Sequence, residues 1–312
     1  MGQEPSYLKL HAQGLLQRRV DQALSRLTHC ELCPRECGVD RTKGEKGFCR
    51  TGRYAVVSSY NPHFGEESPL VGTGGSGTIF FTHCNLLCIF CQNYEISHQG
   101  MGDEVGPQIL GRMMVQLQNW GCHNVNFVTP SHVVPQILEA LPVAIELGLR
   151  VPLVYNTGGY DKVETLRLLE DVFDIYMPDI KFMDPQVAKR FCKAPDYPEV
   201  VREAVKEMHR QVGDLLLDER GIAYRGLLVR HLVMPHGLAQ TPQVMKYLAD
   251  EISPNTYVNI MDQWRPCGEA HLHPDLSRRI SRQEYEEALE AARSVGLHRL
   301  DDRVRVRVFR LF

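Results

Sequence analysis

Thr78-Ile79-Phe80-Phe81-Thr82-His83-Cys84-Asn85-Leu86-Leu87-Cys88-Ile89-Phe90-Cys91 decides how this chain reads. Thr78–Phe81 is a short apolar run rich in β-branched and aromatic residues, the mark of a buried strand. Gly72-Thr73-Gly74-Gly75-Ser76-Gly77 precedes it as a flexible loop, expected as a hinge or cover near the cysteines. Three thiols follow directly, at spacings of four and three, so one loop can wrap them around one small object. Structural zinc and ordinary [4Fe–4S] clusters each take four protein ligands, so three thiolates leave one position open. On the residues alone, zinc with a remote fourth ligand such as His83 or Cys122 is the alternative.

Outward from this stretch the pattern alternates. Strand-length apolar runs are Thr78–Phe81, Asn124–Val128, Val151–Tyr155, Val172–Met177, Leu227–Met234 and Tyr257–Met261. Helical stretches separate them near 106–118, 133–147, 162–170, 198–217 and 242–252, and another follows near 282–295. Thr241-Pro242 reads as an N-cap with a first-turn proline, and Ser281 with Glu284 as a capping box. Strand–helix alternation implies a parallel sheet, because parallel strands need crossover helices. Six units are too few for a full eightfold barrel. The expected fold is therefore α/β, a partial (βα)6 TIM-type barrel with its site at the strand C-terminal ends. The division expected is 1–60, an N-terminal helix (7–27) with a four-cysteine module, and 61–312, the barrel with a C-terminal helix and an edge strand at Arg303–Phe309.

Cys84-x-x-x-Cys88-x-x-Cys91 at the end of the first strand of such a pattern resembles the signature of the radical S-adenosylmethionine (radical SAM) enzymes, and most closely the pyruvate formate-lyase-activating-enzyme-like branch. The resemblance implies that these cysteines hold a [4Fe–4S] cluster whose open iron chelates S-adenosylmethionine. One electron then cleaves the sulfonium to methionine and a 5′-deoxyadenosyl radical, which abstracts hydrogen from a substrate. It runs over roughly residues 77–265. Phe90 takes the aromatic position that packs near the adenine. Asn156-Thr157-Gly158-Gly159-Tyr160 is similar to the family's Asp-Thr-Asn-Gly-Phe, Asp179-Ile180-Lys181 to its Asp-Leu-Lys, and Arg230 to the arginine opening the fifth strand. Asn156, Thr157, Asp179, Lys181 and Arg230 are carried over as cofactor-binding residues on that basis. Where the family often has Gly-Gly-Glu, this chain has Val128-Thr129-Pro130-Ser131-His132, so Thr129 and Ser131 stand in. His132 reads either as a proton donor or as a helix-start residue. The resemblance further implies a low-potential electron donor, ferredoxin or flavodoxin, and an oxidoreductase acting on a protein glycine or a small metabolite.

Cys30, Cys33, Cys37 and Cys49 form a second group, four thiols in twenty residues. They can close a tetrahedral zinc site or ligate a whole cubane, and the segment is too polar to fold on burial alone. The well-studied glycyl-radical activases lack such a leader or carry extra clusters after the signature, a difference that counts against glycyl-radical activation. A different class, a non-catalytic interaction module with zinc at both groups, is the alternative function. Arg35, Arg41, Lys43, Lys46, Arg50 and Arg53 form a local basic patch that reads as a solvated face. Gln263-Trp264-Arg265 follows the sixth strand and can meet substrate. Cys267 is a candidate hydrogen-atom donor there. Cys122 and Cys192 read as plain residues, and His271/His273 as a surface pair.

Composition is close to that of an ordinary soluble protein. The 312 residues carry Lys+Arg 35 against Asp+Glu 38, a net charge of −3, which argues against a dedicated nucleic-acid binder. At 43% hydrophobic residues the core needs no disulfide staples. No export signal or membrane span is evident, so the expected compartment is cytoplasmic and reducing, where clustered thiols serve metals.

Overall fold

The structure is a computed structural model that describes residues 4–301. The expected strand Arg303–Phe309 lies outside the described residues. The chain opens with helices α1 (Ser6–Ala12) and α2 (Leu15–Ser25). Sequence periodicity predicts one helix there; Gly14 breaks it by taking φ 70, a left-handed conformation that glycine adopts without penalty. Tyr7, Leu10, Leu16, Val20 and Ala23 bury one side of the pair.

The remaining elements are β1 (Ala55–His63), α3 (Ser68–Val71), β2 (Ser76–Phe81), α4 (Tyr94–Ser97), β3 (Asp103–Val105), α5 (Pro107–Asn119), β4 (Val125–Val128), α6 (Val134–Glu146), β5 (Leu153–Thr157), α7 (Val163–Leu166), β6 (Ile175–Pro178), α8 (Pro185–Cys192), α9 (Tyr197–Val212), β7 (Leu216–Leu217), β8 (Ala223–Leu232), α10 (Thr241–Tyr247), β9 (Tyr257–Met261) and α11 (Arg282–Ser294). One sheet runs β3-β1-β2-β4-β5-β6-β8-β7, with β9 paired to β8. The consecutive pairs from β2 through β4, β5, β6 and β8 to β9 are parallel, which gives the six strands read from sequence. β1 and β3 extend the sheet antiparallel beside β2, and β1 spans position 60 at which the sequence divides the chain.

Strand alternation sorts side chains into two layers. Ile79, Phe81, Phe127, Tyr155, Tyr176 and Val229 pack outward under the helices. α6 covers them with Ile137, Leu138, Leu141 and Ala144, all fully buried, each larger side chain contributing about 1.5–3 kcal/mol. Val154, Ile175, Met177 and Leu228 form a separate inner cluster, and Leu70 of α3 sits among them. α3 thus stops the lumen at the strand N-terminal end, held by the Asn124 side chain donating to the Leu70 carbonyl at 2.9 Å. Above Leu70, the Asn259 amide donates to Glu67 at 2.6 Å, and Arg230 reaches Glu66 at 3.5 Å.

Two local expectations change. The residue before α10 with non-helical backbone is Gln240, at φ 49, so Thr241 opens the helix instead of capping it. Its hydroxyl pairs at 2.8 Å with His231, a fully buried residue of β8, and is not free to cap. The capping box of α11 forms as read, with Ser281 and Glu284 exchanging both bonds. α8 is a helix the sequence reading passed over; Asp184 caps it by accepting from the amides of Gln186 and Val187, and Pro185 fills its first turn.

Candidate active site at the strand C-terminal ends

Parallel register places the site. Val128 lies opposite Asn156, Asn156 opposite Met177, Asp179 bridges to Arg230, and Arg230 lies opposite Asn259. The ends of β4, β5, β6 and β8 therefore finish at one level. The loop Cys84–Cys91 follows the end of β2 and covers that level. A cleft opens between them, lined by Cys84, Cys88, Cys91, Asn156, Asp179, Lys181, Arg230 and neighbours. Phe90, Thr129 and Thr157 line it too. Ten of the eleven signature and cofactor residues singled out from sequence line the cleft, all but Ser131; Leu86, Gln92, Asn93, Ser97, Met261 and Gln263 also face it.

The charged centre is a buried triad. Asp179 accepts from Lys181 Nζ at 2.6 Å and from Arg230 Nε at 2.8 Å. Burial alone raises the Asp179 carboxyl, but the adjoining Arg230 and Lys181 charges outweigh it and hold the group below its ordinary range. Burial lowers Lys181 and Arg230, and Asp179 more than reverses that for both. All three stay charged at neutral pH.

Thr157 faces the cleft, yet its hydroxyl is used internally. It donates to Asp161 at 2.6 Å, which also takes the Tyr155 hydroxyl at 2.9 Å, while the Gly159 amide donates to the Thr157 oxygen. Ser131 pairs with the same threonine at 3.0 Å, is buried, and does not line the cleft. These bonds shape the turn after β5. Gly159 is needed in it: at φ 78, a Cβ would stand 2.5 Å from the Asp179 carbonyl. Thr129 holds φ 61, and its amide donates to the Asn156 carbonyl.

The thiols are protonated in the free chain. Burial, then the charge of Cys88, pushes Cys84 up to about 12. Cys91 is raised by burial, against a bond donated to it by the Ser97 hydroxyl at 3.2 Å. Cys88 is raised first by its hydrogen bond with Cys192, 3.3 Å between sulfurs, in which Cys88 keeps its proton in the free chain, and then by burial. Cys192 was read as a plain residue; the spacing of 104 positions hid this contact, which only the placement of α8 creates.

Other expectations are corrected by placement. Gly72–Gly77 leads into the N-terminal end of β2, where Gly74 and Gly77 abut Gly121 and Asn124, so it lies at the end of the strand away from the cysteines. Cys122 packs beside Gly77 at that same end; six strand residues, roughly 17–20 Å, separate it from the signature loop. His132 is buried outside the cleft, bonded to the Thr82 carbonyl, and burial pushes it down to about 3. It is neither a proton donor to the cleft nor the helix start, since α6 begins at Val134. Gln263 lines the cleft, whereas Trp264 packs on Phe90 at 5.4 Å between ring centroids and Cys267 does not reach it. His271 donates within its own turn and His273 stands edge-on to Phe191.

The basic patch is largely spent inside the chain. Arg41 is 1% exposed and donates to the carbonyls of Gly52 and His132. Arg53 forms a two-pronged pair with Glu139, and Arg50 donates to the His98 carbonyl. Arg35 donates to the carbonyls of Asn85, Cys192 and Lys193, tying the Cys30–Cys49 segment to the signature loop and to the end of α8. Cys30, Cys33 and Cys49 are buried and Cys37 half-buried. Burial pushes Cys33 up to about 12, with the charges of Cys49 and Cys30 adding to it and the Asn85 amide opposing. Among the described residues no three His, Cys, Asp or Glu side chains are gathered as a site for a single metal ion. No helix among them is long and apolar enough to cross a membrane.

A sequence profile of the radical SAM superfamily matches residues 78–217, the stretch that carries the signature loop and most of the cleft. Beyond that stretch, an uncharacterised protein of Methanocaldococcus jannaschii is 32% identical over 297 residues, covering 93% of this chain and 81% of its own. The chain carries a radical SAM superfamily domain. Members of the superfamily are enzymes that use a [4Fe–4S] cluster and S-adenosylmethionine. A solved radical SAM methyltransferase from Sphaerobacter thermophilus aligns over 71% of the chain and 64% of its own length, at 14% identity and a TM-score of 0.48; the chain spans less than two thirds of that protein. The donor set fits the cluster. Three thiols face the cleft and, among the described residues, no histidine or further cysteine lines it, which matches a group that must keep one position open.

Proposed function

We propose that Cys84, Cys88 and Cys91 are the cluster ligands and that the cleft beside them binds S-adenosylmethionine for reductive cleavage, followed by hydrogen abstraction from a substrate. The observation that carries this reading is the meeting of the three thiols with Asn156, Asp179, Lys181 and Arg230 in one cleft. When bound, the cluster supplies the single electron that breaks the sulfonium bond. The chain's own residues do the rest. Lys181 and Arg230 offer cationic donors to a carboxylate, and Asp179 keeps both in place while leaving the triad one positive charge. Asn156 and the Thr129 backbone offer acceptors and donors to an ammonium group and ribose. Phe90, wedged on Phe182 and Trp264, presents a fixed apolar face for a purine. Leu86, Leu232 and Met261 line the same cleft and exclude water from the reacting atoms.

This reading places the chain near the activating-enzyme-like branch, with an oxidoreductase-type radical step and a ferredoxin or flavodoxin as donor in a reducing cytoplasm. A protein glycine is one candidate substrate and a small metabolite the other. A second metal, zinc or an auxiliary iron–sulfur cluster, belongs in this reading to Cys30, Cys33, Cys37 and Cys49. What supports it is that Cys30 and Cys49 lie close enough for their charges to add to the raise that burial gives Cys33 and Cys37, and that Gly47 alone leaves room for Cys37 Sγ, 2.2 Å from where a Cβ would stand.

The test is an anaerobic iron, sulfide and zinc count on reconstituted protein, followed by dithionite and S-adenosylmethionine. Release of 5′-deoxyadenosine is expected from wild type and not from Cys88→Ala. Undiminished release from Cys88→Ala overturns the assignment. Cys33→Ala is expected to remove only the second metal.

A further inference from the structure

We propose that Cys192 is a positioning residue of the cluster site, a hydrogen-bond donor to the Cys88 thiolate that raises the reduction potential of the cluster; the inference rests on the ligand assignment above. Cys192 ends α8, is 1% exposed, and places its Sγ 3.3 Å from Cys88 Sγ with the thiol donating. Two thiolates on one tetrahedral ion with bonds of about 2.3 Å stand about 3.8 Å apart, so the closer approach suits a donor better than a co-ligand.

The contact is built, because its two sides are tied to one another. Lys193 takes the left-handed conformation at φ 52 and stops the helix at Cys192. Arg35 then grips the Cys192 carbonyl at 2.9 Å, the Lys193 carbonyl at 2.6 Å and the Asn85 carbonyl at 2.9 Å. One guanidinium therefore fixes the end of α8 against the loop that carries Cys84 and Cys88. From the other side the Ile89 amide, next to Cys88, donates to the Phe191 carbonyl, next to Cys192. The two sulfurs face each other between these clamps.

The chemistry follows from charge. Adding an electron to the cluster increases the negative charge on its thiolates. A donor to one of them stabilises the reduced form more than the oxidised one, and hydrogen bonds to the sulfurs are among the factors that set such potentials. Cys91 receives a comparable bond from Ser97, so the two donors act on different corners of one group.

The experiment uses the full chain, reconstituted anaerobically, with iron and sulfide counts and an electron-paramagnetic-resonance redox titration. The signal followed is the one that changes on adding S-adenosylmethionine, which excludes any cluster on Cys30–Cys49. Cys192→Ala is expected to keep the wild-type iron count and to reduce tenfold less favourably, 59 mV lower for a one-electron couple. Cys192→Ser, which keeps a donor, is expected to recover most of the shift. Equal midpoints for Cys192→Ala and wild type overturn the proposal. So does a Cys192→Ser shift as large as that of Cys192→Ala, which would assign the effect to packing. Loss of the cluster from both variants would make Cys192 a ligand and overturns it too. Should Cys192→Ala not fold, Cys192→Val takes its place in the titration. A separate Cys88→Ala control that retains the full iron count would sink the ligand assignment itself, and is read independently of the midpoints.

Discussion

Replacing Asp179 with asparagine removes one charge from the centre of the cleft and leaves two behind. Asp179 holds Lys181 at 2.6 Å and Arg230 at 2.8 Å, and its side chain is 16% exposed. Deleting one member of a buried ionic group strands its partners, at a cost of about 3–5 kcal/mol. Glu66 remains 3.5 Å from Arg230 and softens the loss on that side, so about 3 kcal/mol is the expected figure. For a chain of this size each kcal/mol moves Tm by about 2 °C, so a fall of roughly 6 °C is expected. The pH dependence adds a sign. The folded carboxyl is held below its unfolded value near 3.9, so its stabilisation is complete above that value and disappears as pH falls through the folded pKa. The gap between wild type and Asp179→Asn should therefore be full at pH 7 and shrink below about pH 4. Differential scanning calorimetry from pH 7 to pH 3.5 measures it. A variant that melts with wild type at pH 7, or a gap that widens in acid, refutes the account of the triad.

Gly159→Ala meets the Asp179 carbonyl at 2.5 Å from a left-handed backbone, so it should cost about 2 kcal/mol or more by urea titration and weaken S-adenosylmethionine binding with it. Asp184→Ala removes the cap of α8 and should cost about 1 kcal/mol by the same measurement without altering the iron count. His132 and His231 are buried neutral, pushed down to about 3 and about 4 by burial, so both bind a proton only on unfolding. Stability should fall as pH drops from 6.5 towards 4, by up to about 2.7 kcal/mol per pH unit for the two, and His132→Asn should roughly halve that slope in urea titrations.

The six-strand order was legible because buried parallel strands write themselves as apolar runs, and the three-thiol loop because its spacing is local. Tyr257–Met261 and the capping box at Ser281 appear where the sequence put them. What stayed hidden depends on distance in the chain or on burial. Cys192 meets Cys88 only through the docking of α8. Arg35 and Arg41 looked like a wetted face because sequence gives charge without burial; in place, their forks satisfy carbonyls that no strand or helix reaches. Gly72–Gly77 was misplaced for a simpler reason: residues that precede a parallel strand belong at its N-terminal end, opposite the residues that follow it. Ser131 was carried over by position alone, and its hydroxyl turns instead to Thr157.

Leu70 and the polar rung of Glu67 and Asn259 above it make the lumen a well with a bottom. Traffic through such a well is by its upper mouth, beside the Cys84–Cys91 loop and Gln263. A bulky substrate seated across that mouth would act as a stopper, and whatever lies beneath it would leave only after it lifted.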